Sequence, residues 1–429
     1  MTLRGATFLG IGAMVGAGIF ALLGQAGAVA GSAVWISFLI AGLISIALGY
    51  ALAKLGVRYP SSGGIVTYLV KGFGNGRVVG VAGWLGYLTA IVVVGAMVAV
   101  SFGDYARSLL VGNDAGSGWT KLFASLLVLG STFVTIVGPR WVDRSQSLIV
   151  AVLLGVFVVF ICATIVNLNP HLLAPSNYPS TRSIISSVAL TFFAFLGFAV
   201  ISFAAGDLRN PRRDLPRATY IALGTTTLLY LAIALSVFGT LTVAQVISYG
   251  PTAIAEAARP TLGHFGFVAM SIAALLATAS SVIATLYASG GFTASLAEIG
   301  QFPPLFGRRS RLGRHGGLVV TAMLTLAFVL IFNLGALASI GSAVSLSVFI
   351  LVGVAALRLR REIAASGWVI AMAIVGSAVV FVLFAIDTLH NDPRAFWAMV
   401  AIVVLGIAVD ALWKHNRKPL QSDVPLTPV

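Results

Sequence analysis

Ten stretches of this chain, 5–53, 78–103, 122–139, 145–181, 183–206, 218–255, 260–297, 315–357, 363–386 and 395–409, contain no Asp, Glu, Lys or Arg. A helix that crosses a bilayer needs roughly 20 apolar residues and tolerates charge only near its ends, so these runs constrain the fold more than any motif does. Several are long enough for two helices. Divided at Gly, Pro and polar clusters, they give twelve candidate spans centred near residues 16, 43, 91, 129, 156, 195, 229, 276, 325, 347, 376 and 402. Composition agrees, with 59% hydrophobic and 9% charged residues against about 25% charged in a soluble domain. The 429 residues would suit two or three soluble domains by length, but the chain has too little charge to coat such cores. Its solvent is a lipid bilayer.

Charge placement tests the twelve-span reading independently. A cleaved signal peptide competes for the first run, because Arg4 precedes an apolar stretch with small residues near its end. That run continues directly into a second helix, and removing a span would put the two ends on opposite faces. With twelve spans both termini share one face. If that face is cytoplasmic, Arg4, the even-numbered loops and the tail hold 21 of the 26 basic residues, as the positive-inside rule requires. The other face keeps Arg107, Lys121, Arg182, Arg259 and Arg394 beside Asp104, Asp114, Glu256, Asp387 and Asp392. The net charge of +14 is therefore topological. The clusters Arg209, Arg212, Arg213, Arg217 and Arg308, Arg309, Arg311, Arg314 read as cytoplasmic anchors facing anionic lipid, not as nucleic-acid patches. The expectation is a multi-pass cell-membrane protein with both termini in the cytoplasm.

Conventional catalytic groups are scarce at membrane depth. His171, His264, His315, His390 and His415 lie in or beside predicted loops, without metal-ligand spacing, and the twelve acids lie in loops or near helix ends. Asp410 is the deepest of them and reads as an interfacial acid before Lys414. Without a nearby base, the many span Ser and Thr residues read as packing hydroxyls rather than nucleophiles. No catalytic residue, metal site or cofactor is expected, and the chain does not read as an enzyme. Cys162, the sole cysteine, excludes an internal disulfide and reads as a buried thiol in an apolar run.

Glycine marks where chemistry could sit. The first span runs Gly10-Ile-Gly12-Ala-Met-Val-Gly16-Ala-Gly18-Ile-Phe20, and each Gly costs a helix interior about 1 kcal/mol relative to Ala. A dinucleotide loop is a poor reading, since no strand precedes it and no acid follows before Asp104, far beyond the usual spacing. Small-residue packing between spans is the ordinary explanation; four glycines in one span also suit a broken helix. A break frees backbone groups that hydrocarbon cannot satisfy, so it persists only beside protein, water or ligand. Amides near Gly16, Ala17 and Gly18 would then face an anion such as a carboxylate. The sixth span carries Gly197 among phenylalanines. Paired interruptions at the first members of two five-helix halves point to a transporter site.

These residues resemble the amino acid–polyamine–organocation superfamily of transporters. GAMVGAGIF at 12–20 is similar to its G-x-G-I-F signature. Tyr59-Pro-Ser-Ser-Gly-Gly64, followed by Tyr68 and Gly72-Phe-Gly74, resembles its P-x-G-G-x-x-x-Y segment. FFAFLGF at 192–198, leading into Asp207-Leu-Arg-Asn-Pro-Arg-Arg-Asp-Leu-Pro216, resembles its sixth span and N-P-x-R-x-x-P loop. The resemblance implies an all-α, leucine-transporter-like fold of twelve helices in a 5+5 inverted repeat. Residues 1–168 would form helices 1–5, 183–358 helices 6–10, 363–413 two peripheral helices and 414–429 a cytoplasmic tail. It also implies a substrate between broken helices 1 and 6. Backbone from Ala13, Met14, Val15, Gly16, Ala17 and Gly18 would take its carboxylate. Carbonyls of Phe193, Ala194 and Leu196, beside Gly197, would take its ammonium, and Phe193 or Phe195 would cap its side chain.

Departures from the family pattern sharpen the expected substrate. Many relatives place Glu or Asp where this chain has Ala199; the fifth span has Leu153 or a neighbour where some proton-coupled relatives carry Lys; and 289–298 lacks an arginine often seen there. Without core charges, substrate charges must be met by backbone dipoles, because an unpaired ion there costs several kcal/mol. That favours neutral, apolar or small amino acids. Amines, polyamines and cationic amino acids are the alternative cargo, and a membrane ligand sensor the alternative class. A sodium-like coupling site could use the carbonyls of Gly12 and Val15 with the hydroxyls of Ser280 and Ser281, although oxygen-rich packing is the simpler reading. Proton coupling through a side chain is not expected, because the titratable groups at depth reduce to tyrosines such as Tyr87, Tyr230 and Tyr287 and to Cys162, whose ordinary pKa values lie above neutrality. Exchange and facilitated diffusion stay open. No cysteine is placed for a disulfide-linked subunit.

Overall fold

The computed structural model describes residues 1–61, 63–112, 116–137, 139–307 and 315–416, with side chains at all of these except 17, 139–147, 207, 394 and 416. The second arginine cluster and the end of the tail lie outside the described residues. Among the described residues, ten helical stretches are long and apolar enough to cross a membrane, and two shorter apolar helices cover Leu3–Gly16 and Gly316–Ile331.

Local signals set the helix ends. In α1 (Leu3–Ala17) the Thr2 hydroxyl accepts from the Gly5 N–H at 3.2 Å, satisfying one of the amides that a helix start leaves over. Helix α2 (Ile19–Ala30) closes at Gly31, where φ is 54°, and α3 (Val34–Arg58) follows. A short amphipathic helix, α4 (Ile65–Phe73), is bracketed by Gly64 and Gly74, both at positive φ. The next span is composite: α5 (Arg77–Gly86), a π-helical turn over Tyr87–Val93, and α6 (Val94–Leu110). Then come α7 (Ser117–Val137) and α8 (Pro139–Val166).

The second half opens with α9 (Thr181–Phe193), whose first turn is capped by Ser180, and α10 (Phe198–Phe203). Pro211 starts α11 (Pro211–Thr240) at a position where the missing N–H costs nothing. A loop expected from sequence instead holds α12 (Val243–Tyr249), closed by a capping box between Thr242 and Gln245, and α13 (Ala253–Ala257). Helix α14 (Arg259–Glu298) bends at Gly263, where φ is 63°. Helices α15 (Gly316–Ile331), α16 (Leu334–Arg358), α17 (Gly367–Asn391) and α18 (Pro393–Asn416) complete the chain.

The elements holding Gly18 and Gly197 lie inside the bundle. Helix α1 packs on α11, α14 and α10, while α9 packs on α2, α3, α16 and α17. The apolar window of Thr181–Gly206 is 83% buried and that of Arg77–Leu110 is 89% buried, whereas Ser117–Val137, Leu148–Val166, Gly367–Asn391 and Ala395–His415 fall between 22% and 28%. The last four therefore present most of their apolar surface to lipid. Cys162 corrects the sequence reading: it is exposed, because α8 is one of these outer helices and a charge-free run looks alike on its lipid and core faces. Tyr287 is likewise 43% exposed. Asp410, by contrast, is buried and paired with Lys414 at 2.9 Å.

Candidate functional site

The first span is interrupted at one residue. Gly18 leaves helical geometry, at φ −94° and ψ −84°, between α1 and α2. Its N–H donates to the Met14 carbonyl at 2.7 Å and its carbonyl accepts from the Leu22 N–H at 2.9 Å. Because α2 begins at Ile19, the amides of its first turn are those of Ile19, Phe20 and Ala21. They lie one turn beyond the Gly16–Gly18 amides expected from sequence.

The sixth span tightens instead of opening. Between α9 and α10 the Phe195, Leu196 and Phe198 amides donate three residues back, to Phe192, Phe193 and Phe195. In a continuous α-helix the Phe198 N–H would bond the Ala194 carbonyl; here that carbonyl turns to another partner. The Tyr230 hydroxyl of α11 lies 3.1 Å from it and 2.7 Å from the Met14 carbonyl. One phenol thus links both interruptions.

Close backbone approach explains the glycines. A Cβ on Gly197 would sit 2.4 Å from the Ala13 carbonyl carbon and the Met14 nitrogen. On Gly18 it would meet the Tyr230 hydroxyl at 2.1 Å and the Ala194 carbonyl oxygen at 2.6 Å. On Gly16 it would meet the Ala277 carbonyl oxygen at 2.1 Å. Packing and interruption, which the sequence offered as alternatives, occur at the same residues.

A cavity borders this junction. Ala13, Leu196, Gly197 and Ala199 form one wall, α4 contributes Ile65 and Leu69, the π-helical turn contributes Thr89 and Ile91, and Thr285, Phe292, Ser345 and Phe349 face them. No charged side chain lines it. Its rings are Phe203, Phe292 and Phe349. Phe193 instead rests on Gly341 of α16, where a Cβ would lie 2.2 Å from the ring, and Phe195 packs on Tyr230 with ring centroids 5.0 Å apart. The Thr89 hydroxyl is committed to the Leu85 carbonyl at 2.6 Å, while the Ser345 hydroxyl is buried without a protein partner.

Of the ion-site residues, Ser281 donates to the Ala13 carbonyl at 3.4 Å, and Gly12, Val15 and Ser280 are buried nearby on α1 and α14. Among the described residues no three His, Cys, Asp or Glu side chains could share a metal ion. Sequence reasoning missed Ser345, the π-helical turn and the bridging role of Tyr230. Nothing local marks these, since a Ser or Tyr in an apolar run announces no partner on another helix.

A multi-span bundle of apolar helices around an internal cavity without a charged side chain among the described residues is a framework that suits a membrane transporter. The family model for amino acid permeases matches residues 1–409, and the chain belongs to that family, within the amino acid–polyamine–organocation superfamily. It is 34% identical over 409 residues to the inner membrane transport protein YbaT of Escherichia coli strain K12, across 95% of each chain. It is 28% identical over 372 residues to the methylthioribose transporter of Bacillus subtilis strain 168, across 83% of this chain and 80% of that one. The branched-chain amino acid permease BcaP of the same strain is 30% identical over 257 residues, 56% of this chain and 54% of the relative. The protein is a multi-span transporter, not an enzyme.

Proposed function

We propose that this permease moves amino acids with uncharged side chains by alternating access. The observation that carries this reading is the cavity beside Ala13 and Gly197, in which no described lining residue is charged. A cationic side chain entering it would lose hydration without a counter-charge, at a cost of several kcal/mol. A zwitterion's two charges can be met by backbone: the carboxylate by amides at the start of α2, backed by the helix dipole, and the ammonium by carbonyls of Phe193, Ala194 and Leu196. Ala13 shares a cavity wall with Leu196 and Gly197, and Phe203, Phe292, Phe349 and the Ser345 hydroxyl would shape the side-chain pocket. The branched-chain specificity in the name of one relative supports an apolar side chain.

In this reading the chain makes twelve spans, with α1–α2 and α9–α10 each forming one interrupted span. Residues 1–168 and 183–358 are inverted repeats, 363–413 add two outer helices, and both termini face the cytoplasm. Ser281 and the Ala13 carbonyl support a monovalent-cation site at the α1–α14 contact, with Gly12, Val15 and Ser280 around it.

Uptake into liposomes tests the substrate class. L-Leucine or another uncharged amino acid should be taken up saturably, with arginine and putrescine at least tenfold poorer in kcat/KM; arginine or putrescine as the preferred cargo would overturn the reading. Sodium and pH gradients imposed separately test the coupling site.

A further inference from the structure

The cavity wall built by α5 and α6 is irregular at one turn. Over Tyr87–Val93 the helix widens to π geometry, a rare form that recurs at functional sites. The Val94 N–H bonds the carbonyls of Thr89 and Ile91, and so bypasses the Ala90 carbonyl that a continuous α-helix would give it. Ala90 lines the cavity. The neighbouring Thr89 hydroxyl does not serve this carbonyl, being committed to that of Leu85.

Another unspent group lines the same cavity from α16. Ser345 is 1% exposed, and its hydroxyl has no hydrogen-bond partner among the described residues. Its neighbours behave differently: Ser342 and Ser347 turn their hydroxyls back to the carbonyls of Ala338 and Ala343, at 2.6 and 3.0 Å, a common arrangement inside a helix. Close approaches run backwards along the chain, with Ala355 against Gly72, Leu296 against Gly83, Phe292 and Val348 against Gly86, and Thr285 against Gly95. Helices α14 and α16 are therefore antiparallel to α5–α6. Ala90, one turn beyond Gly86, and Ser345, one turn before Val348, stand at the same level of the wall.

Polar groups left over at membrane depth persist only beside protein, water or a ligand. A carbonyl that accepts and a hydroxyl that both donates and accepts are the complement of one further hydroxyl. We infer that the Ala90 carbonyl and the Ser345 hydroxyl form a subsite for a hydroxyl on the cargo's side chain, so that among uncharged amino acids the protein selects threonine over valine. Valine has nearly the same shape, with a methyl in place of the hydroxyl. A site built to bond a hydroxyl rejects such an analogue because its own polar groups stay unpaired. This rests on the amino acid reading proposed above and narrows the side chain to a mostly apolar one with a single hydroxyl. The π-helical turn is then a specificity element, since it is what frees the carbonyl.

Uptake of L-threonine and L-valine into liposomes carrying the full-length protein tests the subsite. The parent should favour threonine in kcat/KM by about fivefold or more. Ser345→Ala should cut that ratio about threefold or more, and Ser345→Cys, whose thiol is a weaker donor and acceptor, should give a ratio between the two. General damage to the fold would lower both uptakes alike and leave the ratio in place. A smaller parent preference, as when a bridging water rather than cargo satisfies the two groups, overturns the inference. So does a Ser345→Ala ratio that changes less than this, or a Ser345→Cys ratio at or above the parent's. Equal uptake of threonine and valine leaves the amino acid reading standing, whereas arginine or putrescine as preferred cargo, or no uptake of any uncharged amino acid, sinks that reading and this inference with it.

Discussion

The Tyr230 hydroxyl sits 2.7 Å from the Met14 carbonyl, joining α11 to the end of α1. It also lies 3.1 Å from the Ala194 carbonyl in the tightened turn of the sixth span. A phenol has one proton, so the two carbonyls share a single donor. Movement of either interrupted helix must break or reassign that bond.

Replacing Tyr230 with Phe keeps the ring against Phe38 and Phe195 but removes the donor. An unsatisfied buried carbonyl costs about 1–3 kcal/mol, so Tyr230→Phe should lower the unfolding temperature measurably. Leucine uptake in liposomes should fall at least severalfold. Wild-type stability together with wild-type uptake would show that the bridge carries no weight.

Gly197→Ala and Gly290→Ala should have opposite effects. A methyl on Gly197 collides with the backbone at Ala13 and Met14, whereas one on Gly290 meets nothing within 4 Å. Overpacking of this kind costs about 1–3 kcal/mol, and relieving it means pushing the interrupted spans apart. Replacing an open helical glycine gains about 0.5–1 kcal/mol. Parallel thermal unfolding and uptake measurements check the contrast, which equal behaviour of the two variants would refute.

Ala199 lines the cavity where many members of the superfamily carry an acid. Ala199→Asp should supply the missing counter-charge, weakening leucine uptake and improving that of arginine relative to leucine by tenfold or more. Competition between the two labelled substrates measures the shift. An unchanged ratio would mean that cavity charge does not set selectivity.

Asp410 is buried and pairs at 2.9 Å with the partly exposed Lys414, beside Gln301 and against Gly80, where a Cβ would lie 2.1 Å from the Asp410 Oδ1. Removing one partner of such a pair leaves an uncompensated charge, worth about 3–5 kcal/mol. Lys414→Met should therefore destabilise the protein more than the double variant Asp410→Asn/Lys414→Met. A thermal-unfolding cycle without coupling between the two positions would contradict this.

Much of the architecture was legible because bilayer physics leaves few options. Charge-free runs gave the positions of the apolar helices, and the glycines at 16, 18 and 197 located the places where backbones come closest. Periodicity could not reveal which face of a run meets lipid, which is why Cys162 reads as buried although it is exposed. The short helices α4, α12 and α13 were invisible to a hydropathy reading, being too brief to span anything. Phe193 and Phe195 do not line the cavity; its rings are Phe203 together with Phe292 of α14 and Phe349 of α16, which helix packing brings in from distant parts of the chain.

By itself the sequence determined the solvent, the segments that could cross it and the scarcity of charge within them, since each depends only on the transfer cost of local side chains. Tertiary structure alone decided that a tyrosine 212 residues after Gly18 binds both interruptions, that a serine on α16 points an unpartnered hydroxyl inward, and that Asp387 faces Ser186. These pairings join helices distant in sequence, and they are set by packing directions that no local pattern of residues records.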